Sequence, residues 1–392
     1  MVSMKRNISY LYIIKLSKWL MLIMPIVALY YTENGLSSFD IYLLQAVYSF
    51  SVALMEIPSG YMADVLGRKK SLTIGAILGT LGFVVYSFAS SLPLFMGAEI
   101  ILGLGGSFIS GSDSALLYDS LAAENNESDY LRYEGRITSL GNFAETLAAL
   151  CGGMIALWCG YRGVYIAQTC IAAIAIPAAL FLTEPPKVKT IDRPNLQQIL
   201  SICHTSLFTN KELSAAILLS SAIGTATLCM AWTSQIYFVT NGLDEKNITP
   251  LWVILNLIVA IVSAFSHKLV KKMGLRITLC SIIIYIPLGY ILLGTLPLIT
   301  GLVSLFIFYG IRGYATPFLK DVTNKYCQSQ TRATVLSIRS LIIRISFSLL
   351  GPMIGVITEH YNLSVALIFT GILLSFFSLL SGILFFKRIP TQ

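Results

Sequence analysis

The feature that most limits how this chain can fold is a succession of about twelve apolar stretches of membrane-crossing length, since a helix needs roughly 20 residues to traverse the hydrocarbon of a bilayer. The polar segments between them are mostly short, which leaves little material for a water-facing coat. Composition agrees: of 392 residues 56% are hydrophobic and 12% charged, and the mean hydropathy is +0.76. A water-soluble domain of this size displays more polar surface than that supplies. The expected fold class is an all-α integral membrane protein.

The spans are placed at Tyr10 to Tyr31, Phe39 to Ala63, Leu72 to Ala89, Leu94 to Leu121, Ile137 to Trp158 and Val164 to Thr183. The second set runs Leu213 to Thr240, Pro250 to Val270, Leu275 to Thr295, Leu298 to Phe318, Ala333 to Thr358 and Val365 to Phe386. Positively charged loops stay cytoplasmic. Of the 27 Lys and Arg, only Arg162 and Lys246 fall in the expected outer loops, and Arg312, Arg339 and Arg344 are set apart as lying deep inside spans, whereas Lys15, Lys18, Lys268 and Arg276, also within the span bounds, are counted with the flanking loops. The rest are assigned to the other side, which puts both termini in the cytoplasm. The formal charge of +8 is thereby a topology signal spread over alternate loops, and no nucleic-acid partner is expected.

After the sixth span the chain turns polar and proline-bearing, from Glu184-Pro185-Pro186-Lys187 to Asn210-Lys211-Glu212. This stretch divides the sequence into an N-terminal six-helix bundle, 1–183, a cytoplasmic linker, 184–212, and a C-terminal six-helix bundle, 213–392. The halves echo each other weakly: Leu117-Tyr118-Asp119 against Leu319-Lys320-Asp321, and Gly67 against Gly274, each glycine followed by basic residues. Hydropathy and loop placement support a parallel repeat more strongly than these echoes do.

The most specific motif lies between spans two and three. It is Gly60-Tyr61-Met62-Ala63-Asp64-Val65-Leu66-Gly67-Arg68-Lys69-Lys70, preceded by Glu56-Ile57-Pro58-Ser59. Gly60 is expected to admit a neighbouring helix, and Gly67 to supply the reversal of a short loop. Asp64 is placed to accept from a helix N-terminus or to pair with Arg. The motif resembles the signature loop of the major facilitator superfamily, G-x-x-x-D-x-x-G-R-[RK]-[RK], with every fixed position present. That resemblance implies twelve spans in two pseudo-symmetric bundles, alternating access, and a monomer in the inner membrane. It also implies a gating latch made by Asp64 and Arg68, with Asp119 as a partner for Arg68. The structural reading of Lys69 and Lys70 is topology alone.

The pattern departs from drug-exporting relatives in two places. Where many carry an Arg in span four, this chain has Glu99 within Gly97-Ala98-Glu99-Ile100-Ile101-Leu102-Gly103. In span five only the terminal glycines of an antiporter motif remain, Cys151-Gly152-Gly153, while span eleven has Gly351-Pro352, a pair able to bend its helix.

Glu56, Glu99, Asp113, Glu145, Arg312, Arg339 and Arg344 are expected at membrane depth, where an ionised group costs about 2.5–3.5 kcal/mol on insertion scales and so marks a solute or proton path. Glu99 and Asp113 are spaced to share one face of a continuous span-four helix, which the resemblance turns toward a central cavity. Glu145 and Arg344 sit mid-span in related positions of the two halves. The plain alternative is that such groups only satisfy one another in static pairs. In spans seven and ten, Thr225, Thr227, Trp232, Thr233, Ser234, Gln235, Tyr237, Tyr309 and Tyr314 are candidates to line a mixed pocket.

No G-x-x-x-x-G-K-[ST] loop occurs, so the chain is not expected to be the engine of an ATP-driven pump. Three histidines and seven scattered cysteines offer no metal-ligand spacing. Neither a metal nor another cofactor is expected, and no clustered nucleophile and base suggests an enzyme. The leading expectation is a proton-coupled exporter of a small organic solute. The alternatives are proton-coupled uptake of an organic anion or nutrient, and a membrane receptor that has lost transport.

Overall fold

The computed structural model describes residues 5–110, 112–126, 129–185, 201–327 and 331–388. Every regular element among them is a helix. In chain order these are α1 Lys5–Trp19, α2 Val27–Glu33, α3 Ser38–Leu66, α4 Arg68–Phe88, α5 Leu92–Ile109, α6 Ser112–Ala122, α7 Tyr130–Ala173 and α8 Ala175–Leu180. They continue as α9 Lys211–Thr240, α10 Glu245–Ala264, α11 Ser266–Thr295, α12 Leu298–Lys325, α13 Arg332–His360 and α14 Leu363–Arg388. Side chains buried at 0–5% exposure, such as Leu72, Leu116 and Ala179, form the apolar core of the first helices. Large apolar side chains such as Phe88, Phe143 and Leu349 point outward, as in a protein whose solvent is lipid.

Among the described residues ten helices are long and apolar enough to cross a membrane. The difference from twelve hydropathy peaks has two physical origins. The first expected span is not one helix: α1 stops at Trp19, the chain runs through turns around Pro25, and α2 resumes at Val27. The fifth and sixth expected spans fuse into one apolar run, Phe143–Leu180. Inside it Gly160 adopts φ 69° and ψ 174°, which interrupts helical geometry where two spans were expected to be joined by a loop.

Glycines explain how closely these helices approach. A Cβ on Gly152 would overlap the Leu22 carbonyl oxygen, and Gly141 lies under the Trp19 ring. The unwound stretch between α1 and α2 therefore rests on a glycine face of α7. Gly105 of α5 would place a Cβ 2.8 Å from the Gly79 nitrogen of α4, a backbone-to-backbone crossing that only small residues permit.

The chain forms two compact units. One comprises Met1–Leu36, Val47–Ile191 and Leu243–Val253, and the other Ser37–Ala46, Asp192–Gly242 and Ile254–Gln392. In the segment between α8 and α9, residues 186–200 lie outside the described set, Thr205–Thr209 make a π-helical turn, and Asn210 caps α9 by accepting from the Leu213 N–H at 3.0 Å.

The two fixed glycines of the signature loop behave differently. Gly67 has φ 98° and ψ 151°, and a Cβ there would lie 3.1 Å from the Glu184 carboxyl carbon. Gly274 has the related values 77° and 165°, so both chain reversals use a conformation that L-residues resist. Gly60, expected to admit a neighbouring helix, instead faces open space: among the described residues nothing lies within 4 Å of its Cβ position. Gly60 is exposed. Gly67→Ala is accordingly expected to cost about 1–3 kcal/mol of stability, whereas Gly60→Ala should be neutral or stabilising by up to about 1 kcal/mol through helix propensity. Thermal denaturation of both variants in detergent checks this; equal losses would contradict it.

Candidate functional site

At the end of the first unit that carries the signature loop, the loop is fastened by two acids. Arg68 Nε lies 2.8 Å from Asp119 Oδ2, with both side chains largely shielded. The Glu184 carboxylate accepts from the backbone N–H groups of Arg68 and Lys69, each at 2.8 Å. These are the first N–H groups of α4, which no intrahelical carbonyl can satisfy. An anion there also meets the positive end of the helix dipole. Asn7 of α1 braces the same corner, donating to Ser120 Oγ at 2.9 Å and to the Thr183 carbonyl at 2.8 Å, and accepting from the Thr183 N–H at 2.9 Å. Asp64 lies in α3, but its side chain falls outside the described set.

Asp113 is held by Lys15. The ammonium of α1 lies 3.4 Å from Asp113 Oδ2, with the side chains 8% and 13% exposed, and Oδ1 accepts from the Ser114 N–H at 2.6 Å. This corrects two expectations. Lys15, counted with the cytoplasmic cations although the expected first span contains it, is a buried member of an ion pair. Glu99 and Asp113 also do not share one helical stripe. Ser110 takes φ −60° and ψ 128°, which ends α5 and separates it from α6, so the angular argument for one continuous helix no longer applies.

Glu99 sits in a second, aromatic site. Its side chain is 4% exposed, and Oε1 accepts from the hydroxyls of Tyr86 at 2.6 Å and Tyr31 at 3.2 Å, while those hydroxyls lie 2.7 Å from each other. Phe95 packs edge-on against Tyr31 and Tyr30. The Tyr165 ring lies between Tyr30, at 4.4 Å centroid separation, and Tyr86, at 5.1 Å. Gln168, one turn further along α7, accepts the Leu22 N–H at 2.7 Å. It thereby satisfies a backbone donor freed by the break between α1 and α2.

The other calls divide between the units. Glu145 lies half-buried in α7, and Glu56 half-buried in α3. In the second unit, Arg312 stands over the Tyr309 ring at 5.3 Å, and Arg339 Nε donates to Ser220 Oγ at 2.5 Å. Arg344 is half-buried in α13, where its carbonyl accepts from Ser348 Oγ at 2.8 Å. The polar residues of α9 are packed: Thr233 meets the Tyr42 hydroxyl at 2.6 Å and Ser234 the Tyr309 hydroxyl at 3.1 Å. Thr225 and Thr227 bond back to carbonyls of their own helix. α13 runs helically through Gly351 and Pro352. Asp321, the sequence echo of Asp119, pairs on the surface with Lys325 of its own helix at 3.0 Å. Among the described residues no three His, Cys, Asp or Glu side chains gather as a metal would require.

The sequence profile described as Major Facilitator Superfamily matches residues 17–338. The chain belongs to that family. It is a multi-pass membrane protein of a class that carries small-molecule solutes. An uncharacterised MFS-type transporter of Methanocaldococcus jannaschii is 21% identical over 94% of this chain and 93% of its own length. The quinolone resistance protein NorA of Staphylococcus aureus is 22% identical over 54% of each chain. Among solved structures, a mutant of the nucleoside transporter NupG superposes with a TM-score of 0.78 at 14% identity, covering 99% of this chain and 100% of that one. A D-xylose–proton symporter does so with a TM-score of 0.76 at 16% identity, covering 99% and 98%. At such identities these structures speak for the fold alone.

Within this MFS chain, sequence reasoning missed Lys15, Asn7, Glu184 and Gln168. The last three are polar residues whose partners lie 113 to 176 positions away, so no local pattern announces them. A double-mutant cycle tests the buried pair. Lys15→Met alone strands Asp113 and should destabilise by about 3–5 kcal/mol, while adding Asp113→Leu should restore most of the loss. Denaturation in detergent reads both; additive losses would show that the two groups do not stabilise each other.

Proposed function

We propose that this chain is a secondary active transporter of the inner membrane that exports a small organic solute in exchange for protons, by alternating access. The observation that carries this reading is the Glu99 site. A tyrosine hydroxyl donates to a carboxylate and accepts from a carboxylic acid, so the same pocket satisfies both protonation states of Glu99. A buried carboxyl with two satisfiable states is what a proton-coupled cycle requires. Asp113 and Asp119 are held instead by Lys15 and Arg68, which suits them to bracing and to the gating latch. In this reading Gly67, Arg68, Asp119 and, with them, Asp64 form that latch, and Gly351–Pro352 gives α13 a place to bend. Export is favoured by the likeness to NorA and to a protein named multidrug resistance protein Stp of Mycobacterium tuberculosis.

A second reading, uptake of an organic anion or nutrient, draws on the arginines of the second unit. Arg312 is shared with an aromatic face and Arg339 with a hydroxyl, arrangements that leave a guanidinium able to receive an anionic or polar solute. A relative named uridine/deoxyuridine transporter, from Lactococcus lactis, is 26% identical over 40% of this chain.

Reconstitution into liposomes under an imposed pH gradient decides the matter. Addition of a transported cationic or neutral drug-like compound is expected to produce a proton flux opposite to the solute. Proton flux in the same direction as a nucleoside or organic anion would establish uptake, and solute movement without proton movement would overturn coupling altogether.

A further inference from the structure

In the second unit α10 gives way to α11 at Phe265, and Gly274 then divides α11 with φ 77° and ψ 165°. Residues 266–273, before that break, form a short helical segment of their own. Its two sides differ as those of an amphipathic helix do. His267, Lys268, Lys271 and Lys272 are exposed, whereas Leu269, Val270 and Met273 are half-buried. The spacing i, i+1, i+4, i+5 puts the four basic residues on one face. Arg276 follows beyond the break and is exposed as well.

Topology asks only that cations stay on one side of the membrane, so it does not account for their gathering on one face. Lys268 has Lys271 and Lys272 as its i+3 and i+4 neighbours, like charges that oppose each other on a helix. Among the described residues no acid pairs with any of the three. Lys268 stands instead over the Phe265 ring at 5.7 Å. Phe265 and Ile277, flanking the segment, are themselves exposed. The echoed reversal in the first unit is balanced from within: the Glu184 carboxyl carbon lies 3.1 Å from the Gly67 Cβ position, and its oxygens cover the N–H groups of Arg68 and Lys69. At Gly274 no described residue comes within 4 Å of the Cβ position. The first unit brings a carboxylate to its basic loop, and the second does not.

We propose that this basic face is a docking surface for anionic phospholipid headgroups, with the Phe265 and Ile277 side chains seated among the acyl chains beneath them. The segment stands where a headgroup layer lies, at the junction of α10 and α11, both long and apolar enough to cross a membrane. A polybasic stretch beside such helices attracts anionic lipid, and the attraction weakens as salt shortens its range. Lipid phosphates on Lys268, Lys271 and Lys272 relieve the repulsion among the three ammonium groups. They supply from the membrane the negative charge that Glu184 supplies from the chain in the first unit. The surface involves none of the residues assigned to solute or proton, so it stands whichever way transport runs.

The test is lipid retention by the purified full chain in detergent, titrated with phosphatidylglycerol or phosphatidylcholine and read by native mass spectrometry. The native chain should hold phosphatidylglycerol about tenfold more tightly or better. The combined variant Lys268→Gln, Lys271→Gln and Lys272→Gln should lose most of that preference, and Lys271→Gln alone should fall between. Lys69→Gln with Lys70→Gln, on the signature loop, should keep it. Thermal denaturation without added lipid should find the triple variant at least as stable as the native chain, which separates loss of lipid from loss of fold. Equal retention of the two lipids by the native chain, an undiminished preference in the triple variant, or an equal loss in the Lys69 and Lys70 variant overturns the inference. So does full displacement by glycerol 3-phosphate at equal concentration, which would make the face a site for free phosphate.

Discussion

Everything in the first unit follows from the expense of leaving a polar group unsatisfied where water is scarce. A backbone donor, an ammonium or a carboxylate in such a place must find its partner within the protein. The break between α1 and α2 exposes backbone groups, and Gln168 of α7 takes one of them. Lys15 enters the interior only because Asp113 is there to meet it. The first turn of α4 projects unpaired N–H groups, and Glu184 arrives from the end of the sixth apolar stretch to cover two. Each bond joins segments far apart in sequence, so satisfying polar groups and fixing tertiary structure are here the same act.

These bonds sort the acids by what they can do. A carboxylate locked to Lys or Arg owes its place to that partner, so Asp113 and Asp119 serve as braces between helices. Glu99, held by tyrosine hydroxyls, keeps hydrogen bonds in either state. In the proposed cycle one end of the unit holds and the aromatic site exchanges a proton. The contrast between Asp119, clamped across helices, and its echo Asp321, paired along the surface of one helix, indicates that the repeat conserves chain reversals such as Gly67 and Gly274 better than it conserves their charge networks.

The sequence made the helical class, the sites of chain reversal and the Arg68–Asp119 partnership legible, because hydropathy and a specific motif report local geometry directly. What it concealed was the interruption of helices and the partners that repair it. A hydropathy window over Tyr10 to Tyr31 stays apolar across Pro25, so it reads one span where the backbone unwinds. The same window cannot see Ser110 ending α5, and the supposed Glu99–Asp113 stripe failed for that reason. Lys15 looked like a topology charge because its counter-ion lies in another helix. Gly60 looked like a packing glycine by position in the motif, and only the tertiary structure reveals that no described residue lies within 4 Å of its Cβ position. The span-five glycines carried a reason no motif states: Gly152 receives the unwound Leu22 backbone, and Gly153 receives Thr249.

The central claim is that Glu99 exchanges a proton within its tyrosine pocket, and difference infrared spectroscopy of the reconstituted chain across a pH step tests it most directly. The account predicts a carboxylic-acid carbonyl band that appears on acidification, vanishes in Glu99→Gln and shifts in frequency in Tyr86→Phe, where a hydrogen-bond partner of Glu99 is lost. A spectrum unchanged in both variants would contradict it.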